Sequence, residues 1–420
     1  MVYEMKVGDL IIEGKTKQIF NILNEPDNVL MISKDRITAG DGAKAHDMEG
    51  KSVISTATTA MIFKYLNEIG IKTHFINQHD EKSLVAKKCS MIPIEWVARR
   101  HATGSFLRRN PGVKEGYRFC PLKLETFYKD DANHDPQWSD EQLICAELVV
   151  GGLKIGKYEV KIMHKTTACI FEVLEKAWAS LGCSLIDMKV EYGVTTNGEL
   201  VLGDVIDSDS WRLWPSGDKR LMVDKQVYRN LSTVTQEDLD KVKRNFQWVA
   251  EKVKEFLPSA KGQVVILMGS ASDKSHCAKI KEACDKLKIP TILRVMSAHR
   301  GPAALLNIIS EFEGHGQPTV FIAVAGRSNG LGPVTSGNTI APVINCPPIS
   351  SNWASEDIWS SLRLPSGLGC TTILLPDGAA IAAAQILALN DHVIWSRLRA
   401  RQLNVWVAML QTDKDIVSEE

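Results

Sequence analysis

The chain has no surplus of either charge. Lys and Arg number 50, and so do Asp and Glu, giving a formal net charge of zero at pH 7. Nothing in bulk draws it to nucleic acid or to an anionic membrane, so any anionic ligand must be gripped by local groups. It also lacks any Cys-x-x-Cys. Its nine cysteines stand at 89, 120, 145, 169, 183, 277, 284, 346 and 370, an odd and scattered set. That excludes a disulfide framework or a zinc site as the organising device. No apolar run reaches the ~18 residues that a bilayer-spanning helix needs, and nothing resembles a signal peptide. The expected compartment is therefore a reducing cytosol, with no nucleic-acid or membrane partner. Two nucleotide signatures are missing as well. Gly14-Lys15-Thr16 and Gly50-Lys51-Ser52 resemble the end of a phosphate-binding loop, but the required earlier glycine is Asp9 in one and Ala45 in the other. Gly-x-Gly-x-x-Gly does not occur, which argues against a nicotinamide-dependent hydride-transfer enzyme.

What is present is an ordinary globular composition, 44% hydrophobic and 24% charged, so the chain can bury sizeable cores. A length of 420 residues predicts two or three domains. The rhythm changes at 259–262, within Leu257-Pro-Ser-Ala-Lys-Gly262, which reads as a linker between residues 1–258 and 263–420. No internal repeat relates the two parts.

The first part favours short alternating runs, such as 10–12, 18–22 and 29–32, which predict antiparallel strands. Helices are expected near 51–69, 160–180 and 235–257. Thr235 caps the last with Asp238, and Leu239, Val242, Phe246, Val249, Val253 and Phe256 form its apolar stripe. The second part alternates strands at 264–268, 291–296 and 319–325 with helices, which predicts a doubly wound parallel sheet.

Three polar loops follow those strands and should gather on one sheet edge. The first, Gly269–Asp273, opens a helix whose free N–H groups suit a phosphate. The second holds His299 before Gly301-Pro302, where an imidazole can carry a proton near neutral pH. The third is the longest: residues 323–348 carry four glycines and a run of small polar side chains, a cradle for close backbone approach. No Cys–His or Ser–His–Asp order and no metal-ligand spacing occurs there. The chemistry predicted is proton transfer on a bound phosphorylated molecule.

In the first part, Asp187, Lys189 and Glu191 alternate with Ile186, Met188, Val190 and Tyr192, a strand with one charged face. Asn197-Gly198 predicts a two-residue hairpin turn. That register sets Glu191 opposite Asp204, two carboxylates that repel unless a cation such as Mg²⁺ lies between them. Arg99–Ser105 and Asp207–Trp214 place arginines beside small residues, as phosphate or carboxylate clamps. A Gly14 hairpin with Lys15 and Lys17 is a further candidate cover for nucleotide phosphates.

At its three loops the second part resembles aminoimidazole ribonucleotide carboxylase of purine biosynthesis, over essentially all of 263–420. Arg327–Pro333 stands where the mutase class carries another pattern and looks like the animal class, which adds carbon dioxide directly to the imidazole without ATP or biotin. By this resemblance Ser270, Ser272, Asp273 and Arg300 hold the ribonucleotide, Ser328 and Gly330 bind carbon dioxide, and His299 is the catalytic proton carrier. Residues 5–258 resemble phosphoribosylaminoimidazole-succinocarboxamide synthetase, through Glu13–Lys17, Ile37–Asp41, Met91–Glu95, Arg99–Ser105, Asp187–Glu191 and Asp207–Trp214. That resemblance implies a two-lobed ATP-grasp-like α+β domain using ATP and Mg²⁺. Lys15, Lys17 and Met91 are then the ATP contacts, and Glu191 and Asp204 the metal ligands. Arg99, Ser105, Asp209 and Arg212 hold the ribonucleotide, with Asp187 and Lys189 catalytic. The order of the two parts is that of the bifunctional enzymes, and carboxylases of this kind form octamers, which makes a homo-octamer the expected assembly. The Gly/Ala-rich segment Gly378–Leu389 is the sequence feature suited to close packing against a neighbour.

Overall fold

The computed structural model describes residues 5–40, 42–349 and 354–419. Asp41 lies outside the described residues. The chain forms two compact units, Met1–Leu257 with Arg399–Glu420, and Pro258–Leu398. Residues 399–419, which the sequence reading groups with the second part, pack on the first unit. Arg399 pairs with Glu172 at 2.6 Å and Lys414 with Glu159 at 2.6 Å, and Asn404 Nδ2 donates to Gly70 O at 2.9 Å.

The first unit is α+β, as expected. One antiparallel sheet runs Val7–Glu13, Lys17–Ile22, Asn28–Ser33, Ser83–Lys87, Phe75–Gln78. The second is organised by the 13-residue strand Cys183–Thr195. Its first half pairs with Ile94–His101 and Trp211–Pro215, its second with Leu200–Gly203 and Cys89–Met91. Paired along both edges, this strand is interior to its sheet. Ile186, Met188, Val190 and Tyr192 lie in the apolar core, where the Tyr192 hydroxyl meets Thr167 Oγ1 of the helix Lys157–Ser180 at 2.8 Å. Asp187 and Glu191 on the opposite face are also buried. The helix Gln236–Val253 begins with the predicted Thr235–Asp238 capping box, and its whole apolar stripe is buried.

The hairpin register corrects the expected carboxylate pairing. Glu191 pairs with Gly203 and Val194 with Leu200, one residue away from the predicted alignment. The turn has three residues rather than two: Thr195 N donates to Glu199 O at 2.9 Å, and Gly198 takes a left-handed φ of 81°. A three-residue turn closed by a left-handed glycine adds one position to the loop and slips the ladder by one. Asp204 therefore stands beyond the strand end with φ 58°, not across from Glu191.

The second unit is the predicted doubly wound sheet. Five parallel strands lie in the order Thr291–Val295, Gln263–Met268, Thr319–Val324, Val343–Asn345, Thr371–Thr372. Val264, Ile266 and Met268 face a core shared with Cys277, Ile280 and Cys284, while Val265 and Leu267 face Leu305, Ile309 and Phe312. The continuous apolar strand runs are thus explained by helices on both faces. Two expectations change. Residues 323–348 are not one loop but contain the helix Leu331–Gly337 and the strand Val343–Asn345. The small face of the helix Pro376–Leu387, with Ala379, Ala380, Ala383 and Ala384 fully buried, packs in the same core as the helix Lys274–Lys286 of its own unit.

Candidate active sites

A cavity of about 890 Å³ opens over the charged face of Cys183–Thr195. It gathers Lys15, Lys17, Arg99, Ser105, Asp187, Lys189, Glu191, Asp204, Asp209 and Arg212 from the sequence-derived set. Met91 does not line it. The Met91 side chain lies over Gly193 and Gly203, where a Cβ would come within 3.0 Å of its Sδ and 3.1 Å of its Cε respectively. The two glycines make that slot.

One wall is an alternation of lysines and carboxylates. Lys189 Nζ donates to Glu95 at 2.6 Å and to Glu191 at 2.9 Å, and Lys129 Nζ reaches the other Glu191 oxygen at 2.7 Å. Lys17 pairs with Asp204. Burial works against the Glu191 carboxylate, but Lys189 and Lys129 outweigh it and hold its pKa at about 2. Burial also pulls on the Lys189 ammonium, and there Glu191 and Glu95 win, so its pKa rises. Lys17 goes the other way. Burial dominates, Glu191 resists, Lys189 and Lys129 add to the fall, and its pKa drops to about 8. Bound anionic oxygens would relieve that crowding of cations.

The other wall is arginine. Arg99 Nη1 and Arg212 Nη1 converge on a single Asp187 oxygen at 2.6 and 2.5 Å. Arg99 also donates to Glu125 at 2.6 Å and to Ser105 Oγ at 3.3 Å. Asp187 therefore sets the aim of two guanidinium groups. Gly104, just before Ser105, has φ 57°, and a Cβ there would collide with Arg212 Nη2. Gly104→Ala should displace that guanidinium and strain the backbone by about 1–2 kcal/mol, so binding of any anionic ligand that Arg212 grips should weaken about tenfold or more in a titration.

Asp209 sits between Lys51 at 3.2 Å and Lys225 at 3.4 Å. Burial opposes its charge, but those lysines prevail and its pKa falls. Its neighbour Asp207, buried and facing Asp209, has a raised pKa. Asp209 lines the cavity, and its Oδ1 is buried with no hydrogen-bond partner. Sequence reasoning missed Glu125, Lys129, Lys225 and Arg229. Lys225 and Arg229, four residues apart on one helical face, were the only pair with a readable spacing. Among the described residues, no group of three or more His, Cys, Asp or Glu is arranged to hold a metal.

In the second unit the three loops meet at one sheet edge, at the point where the strand order reverses. Gly269 N donates to Val324 O at 2.9 Å, and a Cβ on Gly269 would touch Ala325 at 3.5 Å. The His299 ring lies against Gly330, where a Cβ would come 2.7 Å from Nε2. Glycine is required there by that close approach. The first loop is a short turn before the helix Lys274–Lys286. Ser270 Oγ caps Ser272 N at 3.3 Å, and Ser272 Oγ meets Ser270 Oγ at 2.9 Å. Burial raises the Asp273 pKa despite hydrogen bonds from Ser270 and Ser272. Ser270, Ser272, His299, Arg300 and Ser328 are all exposed at this edge. Nearby thiols offer no nucleophile: burial pushes Cys277 and Cys346 up to about 12.

Comparison with known proteins agrees with both halves. The SAICAR synthetase family profile matches residues 10–246, and the AIR carboxylase profile matches residues 263–406. The chain is 58% identical over 411 residues to the bifunctional phosphoribosylaminoimidazole carboxylase/phosphoribosylaminoimidazole succinocarboxamide synthetase of Drosophila melanogaster, covering 98% of this chain and 96% of that one. It is 57% identical to the protein of the same name from Homo sapiens, covering 98% and 97%. A solved SAICAR synthetase in complex with ADP is 30% identical, with a TM-score of 0.52, over 60% of this chain and 100% of its own. With a synthetase cavity in one unit and a three-loop edge in the other, the chain belongs to the bifunctional AIR carboxylase/SAICAR synthetase family.

Proposed function

We propose that the chain carboxylates 5-aminoimidazole ribonucleotide at C4 with carbon dioxide, without ATP or biotin, and then joins the product to L-aspartate at the expense of ATP. In the first reaction the amino group makes C4 electron-rich. C4 attacks carbon dioxide, a carbon–carbon bond forms, and the C4 proton leaves to His299. Carbon dioxide has no charge to grip, so small donors at Ser328 and Gly330 orient it. Ser270, Ser272, Asp273 and Arg300 hold the ribonucleotide. The seating of His299 against Gly330 supports this, since it brings the proton carrier to the same loop.

In the second reaction the new carboxylate attacks the terminal phosphorus of ATP, ADP leaves, and an acyl phosphate results. The aspartate amine then attacks the acyl carbon and phosphate departs. Lys15 and Lys17 face the phosphates, with backbone near Met91 against adenine. Arg99, Ser105, Asp209 and Arg212 hold the ribonucleotide, and Lys189 stabilises charge at the reacting carboxylate. Asp187 aims the two arginines. Glu191 and Asp204 suit Mg²⁺, which prefers one or two carboxylates together with substrate phosphates. When bound there, Mg²⁺ would neutralise phosphate charge. Localisation to the cytosol and a homo-octamer built on the carboxylase half complete the reading; exposed Trp359, Leu362 and Leu375 support a buried interface there.

One observation carries the proposal: a single chain holds a lysine–carboxylate cavity of nucleotide size and also a three-loop edge with an imidazole at its centre. The test is to supply aminoimidazole ribonucleotide and bicarbonate without ATP. Carboxylated product is expected, and its absence would refute direct carboxylation. Adding ATP, Mg²⁺ and aspartate should then yield the succinocarboxamide.

The low Lys17 pKa sets a pH limit. Its ammonium is charged below about 8 and is lost above it. KM for ATP should climb as pH passes from 7 to 9, while KM for aminoimidazole ribonucleotide stays level. The linked stability effect has the opposite sign. Between about 8 and the ordinary lysine value the folded state holds fewer protons than the unfolded one, so this group's contribution to stability rises with pH.

A further inference from the structure

We infer that Asn329 and Ser360 are positioning residues which clamp the carbon dioxide loop into shape, so that the affinity for carbon dioxide is set by a segment thirty residues downstream of that loop. The inference rests on the reading that Ser328 and Gly330 receive carbon dioxide. Both of those residues are exposed or half-exposed, whereas Asn329 between them is 3% exposed and turned inward. Both ends of the Asn329 side-chain amide and its backbone N–H are used. Its amide nitrogen donates to Asn345 Oδ1 and Ser361 Oγ, each at 3.0 Å. Its side-chain oxygen accepts from Gly332 N at 3.0 Å, and its backbone N–H donates to Ser360 Oγ at 3.0 Å.

Ser360 closes the ring. Its single hydroxyl proton lies between Arg327 O at 2.9 Å and Asp357 O at 2.8 Å while its oxygen accepts from Asn329 N, so one side chain touches the backbone on both sides of Ser328 and ties it to its own helical turn. That hold is needed because Arg327 has φ 56°, a left-handed conformation that non-glycine residues seldom adopt. Asn345 and Ser361 form the floor and are essentially inaccessible to solvent. Gly332 completes the fit, since a Cβ there would collide with Asn345 Oδ1. The strand Thr319–Val324 ends before this loop begins; the helix Leu331–Gly337 anchors Gly330 through Val334 N at 3.1 Å, and the clamp fixes the Arg327–Asn329 side of the loop. The phosphate end is held by a different loop, Ser270–Asp273, with its own internal hydrogen bonds. Loosening the clamp should therefore separate the two substrates.

The experiment uses the full chain. Ser360→Ala removes the contact to Arg327 O and to Asn329 N while leaving the buried floor intact. Its KM for carbon dioxide should rise about three- to tenfold, the worth of one or two hydrogen bonds, with KM for aminoimidazole ribonucleotide within twofold of wild type. Ser360→Thr keeps the hydroxyl and should restore the wild-type value. The synthetase rate on supplied carboxylated ribonucleotide serves as the folding control. Equal rises in both KM values, or none in either, would overturn the clamp. Ser328→Ala, run alongside, separates the two levels. If it raises KM for carbon dioxide and Ser360→Ala does not, the site assignment stands and the clamp falls. If neither variant has an effect, both fall.

Discussion

Glu191→Gln in the full chain should lower succinocarboxamide formation at least a hundredfold and leave carboxylation unchanged. Glu191 is 3% exposed and is bonded to Lys189 at 2.9 Å and Lys129 at 2.7 Å, with Lys17 close enough to feel its charge. Glutamine keeps the shape and removes the charge. Lys129 then loses its carboxylate and Lys189 keeps only Glu95, so the lysine wall over the cavity is no longer held in place. The same change deletes one of the two carboxylates suited to Mg²⁺. It also has a signature that unfolding would not produce. Glu191 is the main group sustaining the Lys17 charge against burial, so without it the Lys17 pKa should fall further below 8. Residual synthetase activity should therefore decline at lower pH than in the wild type. The carboxylase rate of the same sample tests folding. A Glu191→Gln enzyme within threefold of wild type, with the same pH profile, would rule out this role.

How far the site could be read in advance depended on whether period or pairing carried it. The strands 263–268 and 319–324 were legible because helices bury both of their faces, which forces unbroken apolar runs. The charged face of 183–195 was legible from its two-residue alternation. The partner register was not. It depended on whether Asn197-Gly198 closed a two- or three-residue turn, and local sequence fits both. Asp187 shows a second limit. Its place in a charged stripe was readable, but its service to two arginines from other strands was not. The small polar residues of 323–348 show a third. Composition marked all of them as one cradle, yet Asn329 and Asn345 face inward as struts while Ser328 faces out. Side-chain direction in an irregular segment is set by tertiary hydrogen bonds and has no period to betray it. The packing of 399–419 on the first unit likewise follows from single long-range pairs such as Arg399–Glu172.

The converse result is expected of His299→Asn. It should reduce carboxylation by about a hundredfold to ten-thousandfold, the usual range for losing a positioned acid–base group, and leave the synthetase rate on supplied carboxylated ribonucleotide intact. His299 lies on the loop between the strand Thr291–Val295 and the helix Pro302–Gly314, with its ring held against Gly330. Asparagine can still hydrogen-bond but cannot take up the C4 proton. Ribonucleotide binding should survive, because Ser270 and Ser272 are on another loop. Exchange of the C4 hydrogen of aminoimidazole ribonucleotide with solvent should disappear together with the reaction. Gly330→Ala gives the geometric counterpart. The added Cβ would lie 2.7 Å from His299 Nε2, too close for any contact. It must push the ring aside, so this variant should lose carboxylation while keeping His299 itself. A His299→Asn enzyme that retains exchange and more than about a tenth of its carboxylation rate would move the proton carrier elsewhere on the edge. A Gly330→Ala enzyme of full activity would show that the ring is free to react from another position.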